Sequence, residues 1–472
     1  MGLFIADSIS KAQSANPPRA LHHAAGCTLP CQVNHFLLEL CSSLCQPKTS
    51  PTAHPEYQRH RFRTFFATRF IAGSKHLPYR VCLNLKNPFS LSTLRRQTSG
   101  RAYVPEVDGL RFIAILSVVV FHIAVQSLDQ PHLSAINDLM APVVHNGNRG
   151  VELFFVISGF ILGLPFARHR LTGAPMMRIR DYFLRRVTRL EPPYIVIMLL
   201  RGLLLLVVSH QTFKVLLPHL AASLFYCHSL IYGHMSTINP PVWSLEVEIQ
   251  FYCLAPILGW LIFSFPKATI VRRAAMVVVI LACGLVQQLY LNPHSGLGLT
   301  ILDSIQYFLA GFLLCDLYVV GWENIRSHWL WDVVCIPLWV WVFWWNSHWY
   351  HVFLPLACVV LYTGAFKGPL MRAFFRNPVV STIGGMCYSI YLTHNLVLSK
   401  ADALFRPLAN QTSPNPFAVW SITAVITALV FSVGLVYYIF LERPCMERDW
   451  PQKLAVRLGL RHAEEAKPAA RA

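Results

Sequence analysis

What most constrains this chain is a series of apolar runs, each close to 20 residues long, between residues 110 and 441. A run of that length spans a hydrocarbon core of ~30 Å. Ten such spans are predicted, at roughly 110–128, 149–166, 190–209, 248–265, 272–291, 300–320, 329–346, 349–366, 384–400 and 417–441. Charge is scarce to match: 13% of residues are charged, against about 25% in soluble chains. Mean hydropathy is +0.45. The expected fold is all-α, a polytopic transmembrane helical bundle of about ten spans.

The net charge of +18 does not imply nucleic acid, because no basic patch is interleaved with aromatics as such sites require. Lys and Arg instead gather in loops, as they do on the cytoplasmic side of membrane proteins. "RIRDYFLRR" lies between spans two and three, "KATIVRR" between four and five, and "KGPLMRAFFRN" between eight and nine. The tail "ERPCMERDWPQKLAVRLGLR" follows span ten. With ten spans all four share one side with the basic N-terminal segment, so both termini are expected in the cytoplasm. An eleventh span over 215–233 would put "KATIVRR" outside, so that stretch is expected to lie at the outer surface or re-enter; Pro218, His219 and His228 suit this. No internal repeat is found, and inverted repeats mark many transporters.

Residues 1–102 form a basic segment with no secretory h-region. It is expected to be disordered and cytoplasmic; the second reading is that it is not native coding sequence, since Met140 is the next methionine. Residues 103–445 form the membrane domain and 446–472 a basic cytoplasmic tail. Thirteen cysteines are scattered, many inside apolar runs, where they act as small hydrophobes. Cys27/Cys31 and Cys41/Cys45 are spaced wrongly for CxxC pairs even with His22 and His23 nearby, and no metal site is assigned.

Ionisable groups at membrane depth are costly and mark function by default. Arg111 and His122 in "DGLRFIAILSVVVFHI" are eleven residues apart. Eleven steps of 100° overshoot three turns by about 20°, so both lie on one helix face, about 16 Å apart along the axis. The ordinary alternatives are snorkelling of Arg111, or its pairing with Asp108, and a packing role for His122. "PVWSLEVEIQFY" (241–252) carries Trp243, Glu246 and Glu248 at the edge of span four; one glutamate can face water while the other points into the bundle. Arg186 and Arg189 in "RRVTRLEPPY" share a face and can present two guanidinium forks to an anion. Tyr388, Tyr391 and His394 in "YSIYLTHNLV" recur at i, i+3, i+6 in span nine.

Six motifs in order carry a resemblance to a known family. "VPEVDGLRFIAILSVVVFH", "GVELFFVISGFIL", "RRVTRLEPPY", "WSLEVEIQFY", "YSIYLTH" and "LERP" are similar to motifs of the membrane-bound acyltransferase-3 family, over about 104–445. That family includes O-acetyltransferases of O-antigen, peptidoglycan and exopolysaccharide. The resemblance implies transfer of an acyl group, acetyl from acetyl-CoA at the cytoplasmic face, to a hydroxyl of a glycan or lipid-linked saccharide at or beyond the membrane, with no bound cofactor. It implies His122 as general base, Glu248 to orient it or bind the acceptor, and Arg111, Arg186 and Arg189 for the coenzyme phosphates or the oxyanion. Trp243, Tyr391 and His394 are the remaining substrate-binding candidates, and His122, Ser158 or Tyr391 could carry a covalent acyl group. No C-terminal esterase domain follows the last span, so transfer is expected to be direct or to a separate extracytoplasmic acyl-accepting protein. The membrane is expected to be a bacterial inner membrane. The competing reading is a transporter or flippase using intramembrane His, Glu and Arg as a substrate or proton path.

Overall fold

In the computed structural model the described residues are 91–96, 103–125, 144–265, 268–291, 297–345, 347, 349–409, 415–447 and 450–452. The chain divides into residues 1–85 and 86–472, and all described residues belong to the second unit. The cysteines at 27, 31, 41 and 45, His22 and His23 fall outside them. Among the described residues there is no strand. The fold is all-α and polytopic, as the hydropathy pattern predicts.

Ten long helices match the ten expected spans. They are α1 (Pro105–Ile123), α2 (Gly150–Thr172), α3 (Ile179–Val207), α6 (Trp243–Ser264), α7 (Thr269–Tyr290), α8 (Ile301–Val319), α9 (Leu330–Trp344), α10 (Tyr350–Lys367), α13 (Cys387–Ala409) and α14 (Pro416–Tyr437). Seven of them, α2, α3, α6, α7, α8, α10 and α14, are long and apolar enough to cross a membrane by length and composition. Between α3 and α6 the stretch at 215–233 breaks into α4 (Phe213–Leu224) and α5 (His228–Tyr232). Neither is near the ~20 residues a span needs. Its expected non-spanning character is what the helix lengths give. His219 Nδ1 and His228 Nε2, 2.9 Å apart, tie the two pieces together. Between α10 and α13 lie α11 (Pro369–Phe375) and α12 (Pro378–Gly385). The Asn377 side chain caps α12, accepting from the Val379 and Val380 amides.

The helices sort into an inner pair and an outer ring. The apolar windows of α2 and α8 are 67% and 72% buried, whereas those of α7 and α14 are 22% buried. Side chains such as Val278, Leu289, Val425 and Leu429 point outward. That much exposed apolar surface suits lipid and would aggregate in water. Burial against each other gains helices little hydrophobic energy over contact with lipid, so close backbone approach carries the association. Gly159 on α2 lies against the backbone of Phe308, and Gly311 on α8 against that of Val156, Gly159 and Phe160. Phe155, Phe251, Phe308 and Phe312 stack around this seam, with Phe251 and Phe308 centroids 4.0 Å apart. A Cβ on Gly311 would run into backbone that cannot rotate away. Gly311→Ala is expected to cost at least ~3 kcal/mol, the upper end for overpacking. A thermal melt in detergent checks it, and a melting temperature equal to wild type would contradict the seam.

One boundary differs from the expectation in a way that matters. Span three was expected from about residue 190, but α3 begins at Ile179 and carries the arginine motif on helix. It runs through Pro192 and Pro193. Proline removes the bond to the carbonyl four residues back, here that of Thr188. The Trp450 indole N–H donates to that carbonyl at 2.9 Å. Nearby, Tyr388 donates to the Leu190 carbonyl at 2.8 Å, and Tyr437 to that of Pro193. Such replacement donors let proline persist in a membrane helix.

Ion pairs collect at one end of the bundle. Asp316 at the end of α8 accepts from Arg272 and Arg273 at the start of α7, at 2.5 and 2.6 Å. Asp108 on α1 binds Arg96 at 3.2 Å and Arg111. Glu442, in the π-helical turn Tyr438–Glu442 after α14, binds Arg189 at 3.2 Å. Arg189 thus ties its basic stretch to the turn after α14, and Arg372 and Arg376 pair with Glu106 at the start of α1, whereas Arg272 and Arg273 pair with the end of α8.

Candidate active site

The site is built from the last turn of α1, the start of α6 and the middle of α13. His122 lies in the last turn of α1. Its Nδ1 meets the Val118 carbonyl at 2.8 Å. A carbonyl only accepts, so Nδ1 carries the hydrogen and Nε2 holds the lone pair. The Val118 carbonyl, rather than Glu248, therefore orients the ring. Facing it, 4.9 Å away between centroids, is the fully buried imidazole of His394. The same logic applies there. His394 Nδ1 lies 2.5 Å from the Tyr391 carbonyl, and its Nε2 is buried without a partner. Two imidazoles thus meet edge to face, each left with its Nε2 as the basic atom.

Tyr391 ties α13 to the start of α6. Its hydroxyl donates to the Pro241 carbonyl and receives from Ser244 Oγ at 2.9 Å. Asn239 adds a bond to the Leu392 carbonyl at 3.4 Å, and Asn395 one to Asn239 Oδ1 at 3.4 Å. Pro240 and Pro241 preset the turn before α6. Trp243, the first residue of α6, packs edge-on against Phe155 of α2 at 6.5 Å.

The two glutamates of "WSLEVE" differ in exposure: Glu246 is buried, whereas Glu248 is only half-buried. Glu246 is fully buried and accepts from the Ser229 amide at 2.8 Å, so it anchors the α4–α5 hairpin. Glu248 accepts from Ser158 Oγ at 2.5 Å and neighbours the Tyr252 and Tyr391 hydroxyls.

The arginines fall in two places. Arg111 pairs with Asp108 three residues earlier, the ordinary alternative weighed for it, and Glu248 is a further negative charge within its field. Beside them, outside the spans, burial with Arg111 and Arg189 lowers the Arg96 guanidinium to about 10, so it stays cationic at neutral pH. Arg186 and Arg189 do not present two free forks. Arg186 bonds the Tyr182 carbonyl at 2.7 Å and lies over the Tyr182 and Tyr252 rings. Arg189 is held by Glu442, which also accepts from Ser389 Oγ at 2.7 Å and the Ser389 amide at 3.2 Å.

Of the residues predicted from sequence, His122, His394, Tyr391 and Trp243 gather at one locus with Glu248 beside it. Arg111, Arg186 and Arg189 lie toward the basic end. Ser244, Asn239, Tyr252 and Glu442 were missed as site residues; the Asn-Pro-Pro before "WSLEVE" was the available signal for the first two.

The chemistry open to such a site is proton transfer to and from an imidazole at the heart of a helical bundle. The comparisons with known proteins point the same way. The model of the acyltransferase-3 family, described as an acyltransferase domain, matches residues 104–439. A protein of Staphylococcus aureus strain COL, provisionally named an O-acetyltransferase, is 26% identical over 332 residues, covering 63% of this chain and 51% of its own length. The O-acetyltransferase OatA of Staphylococcus aureus strain NCTC 8325 / PS 47 is 21% identical over 379 residues, covering 74% of this chain and 58% of its own. The chain thus spans little more than half the length of these curated relatives. No solved structure matches it. With the family model covering well over half of its length, the chain belongs to the membrane-bound acyltransferase-3 family.

Proposed function

We propose that the protein is an integral-membrane O-acyltransferase. It takes an acyl group, acetyl, from acyl-CoA at the basic end of the bundle and passes it to a hydroxyl of a glycan or lipid-linked saccharide toward the other end. The observation that carries this reading is the pair of facing imidazoles, each with a basic Nε2, at the far end of the helix that starts with Glu106, Asp108 and Arg111.

In the reaction, the acceptor O–H attacks the thioester carbonyl. The C–O bond forms, the C–S bond breaks, and His122 Nε2 takes the hydroxyl proton and returns it to the leaving thiolate. A hydroxyl needs such a base, and imidazole is matched to neutral pH. His394 lies close enough to share or relay the proton. Tyr391 and Ser244 hold the wall of the site across α6 and α13. The Arg111–Asp108–Arg96 cluster supplies positive charge on the donor side.

The test is reconstitution with acetyl-labelled acetyl-CoA and a saccharide acceptor. Label is expected on the acceptor as an ester. Transmembrane movement of the saccharide with no consumption of acetyl-CoA would instead establish a transporter. Orientation follows from the same reading: inner membrane, both termini cytoplasmic, α4–α5 outside. A reporter active only outside the cytoplasm, fused after residue 236, is expected to be active, and fused after residue 269 to be silent. Activity at 269 would overturn the ten-span topology.

A further inference from the structure

The cations of the basic end are not equally occupied. Arg189 is bound to the fully buried Glu442, Arg111 and Arg96 to Asp108, Arg272 and Arg273 to Asp316. Arg372 and Arg376 differ. They share one carboxylate, Glu106, at 3.3 and 3.7 Å, and their side chains remain 45% and 49% exposed. Two guanidinium groups against one carboxylate leave a net positive charge.

Ser327, Pro369, Arg372, Ala373 and Arg376 line an open surface cleft of about 400 Å³. No acidic side chain is among these lining residues. The backbone beneath is held firmly. Asp332 accepts from the Leu370 and Met371 amides at 3.0 and 2.9 Å, capping the helix that carries Arg372. Arg376 follows four residues later, just past the end of that helix, so both forks sit on one rigid turn. Guanidinium forks so placed suit phosphate oxygens, which they bind two bonds at a time.

The place along α1 supplies the rest. Glu106 precedes His122 by sixteen residues on one continuous helix, about 24 Å at 1.5 Å per residue. A donor reaching from this cleft to His122 must carry its phosphates at one end and its reactive carbonyl at the other, on a long flexible arm. Acyl-CoA has that form. We propose that the Arg372/Arg376 cleft binds the phosphate groups of the acyl-CoA donor, displacing Glu106 from the two arginines. This rests on the acyltransferase reading above and moves the phosphate subsite away from Arg186 and Arg189, whose guanidinium groups are already engaged. A phospholipid headgroup offers the same phosphate chemistry, and the test separates the two sources.

The experiment titrates coenzyme A into the purified full-length protein in detergent by calorimetry, and measures KM for acetyl-CoA and for acetyl-pantetheine, which lacks the phosphates, in vesicles with and without phosphatidylglycerol. Arg372→Gln with Arg376→Gln is expected to weaken coenzyme A binding at least ~10-fold, to raise KM for acetyl-CoA similarly, and to leave acetyl-pantetheine unchanged in both vesicles. Glu106→Gln is expected to tighten coenzyme A binding, whereas a purely structural ion pair would make it fall. Unchanged coenzyme A affinity in the double variant, equal effects on both donors, or an effect seen only with phosphatidylglycerol would each overturn the assignment. The two levels separate cleanly. Wild type that binds coenzyme A through these arginines but transfers no acetyl group refutes the acyltransferase reading alone. Wild type that transfers acetyl while the double variant binds coenzyme A normally refutes the cleft alone.

Discussion

His122→Ala is expected to slow acyl transfer by a factor of ~10²–10⁴, the usual cost of losing a general base, in a protein that still folds and inserts. The expectation of intact folding comes from the contacts. His122 is half-buried, and its hydrogen bond runs to its own helix, to Val118. Its ring touches Phe121 and His394, so truncation removes little packing, on the order of 1 kcal/mol. His122→Gln should be as inactive, since an amide cannot take the proton. Detergent-stable yield and turnover per folded molecule are the two quantities to compare. A normally folded His122→Ala variant that keeps more than roughly a tenth of wild-type turnover would make this histidine structural.

Glu442→Ala is expected to have a large effect on stability. Its carboxylate is fully buried and serves Arg189, the Ser389 hydroxyl and the Ser389 amide, joining α3, α13 and the turn after α14. Removing one partner of such a buried pair costs about 3–5 kcal/mol, because the other charge is stranded. The lower end applies here, since Arg189 is 23% exposed and can rehydrate. The measurement is a thermal melt in detergent of Glu442→Ala, Arg189→Met and the double variant. The double variant should recover part of the loss. Additive losses would mean that Arg189 and Glu442 do not support each other.

Much of this architecture was legible in the residues, and what was not has physical causes. Hydropathy finds what lipid must cover, so the ten long helices fell where the apolar runs lie. It cannot see helix in charged sequence, which is why α3 started eleven residues earlier than expected, with its arginines already on the helix. It also merged the end of α12 with α13, which Met386 separates. Periodicity put Arg111 and His122 on one face because that is a property of a single helix. The partners of both were another matter. Asp108 is local and was foreseen. His394 comes from 272 positions away and Glu442 from 253 positions beyond Arg189, and no period within one helix reports such meetings. The same blindness left Arg372 and Arg376 as ordinary loop charge until α11 and Ser327 brought them to one open cleft. For Glu248 the resemblance implied orienting the His122 ring or binding the acceptor; Ser158 and Val118 take the contacts that would have made it the ring's partner.

The central claim is that the donor's acyl carbon is delivered to the Nε2 edge of His122. Bromoacetyl-CoA places an alkylating carbon where the acetyl methyl would sit, one bond from that acyl carbon, so the residue it modifies marks the site. Peptide mass spectrometry after brief exposure of the reconstituted protein reads the answer. The account predicts alkylation of His122 with loss of bromide, read as carboxymethyl-histidine after hydrolysis of the thioester, suppressed by excess coenzyme A and accompanied by loss of transfer. Coenzyme-A-protected, inactivating modification confined to other residues, such as the exposed Cys253, with His122 untouched, would contradict it.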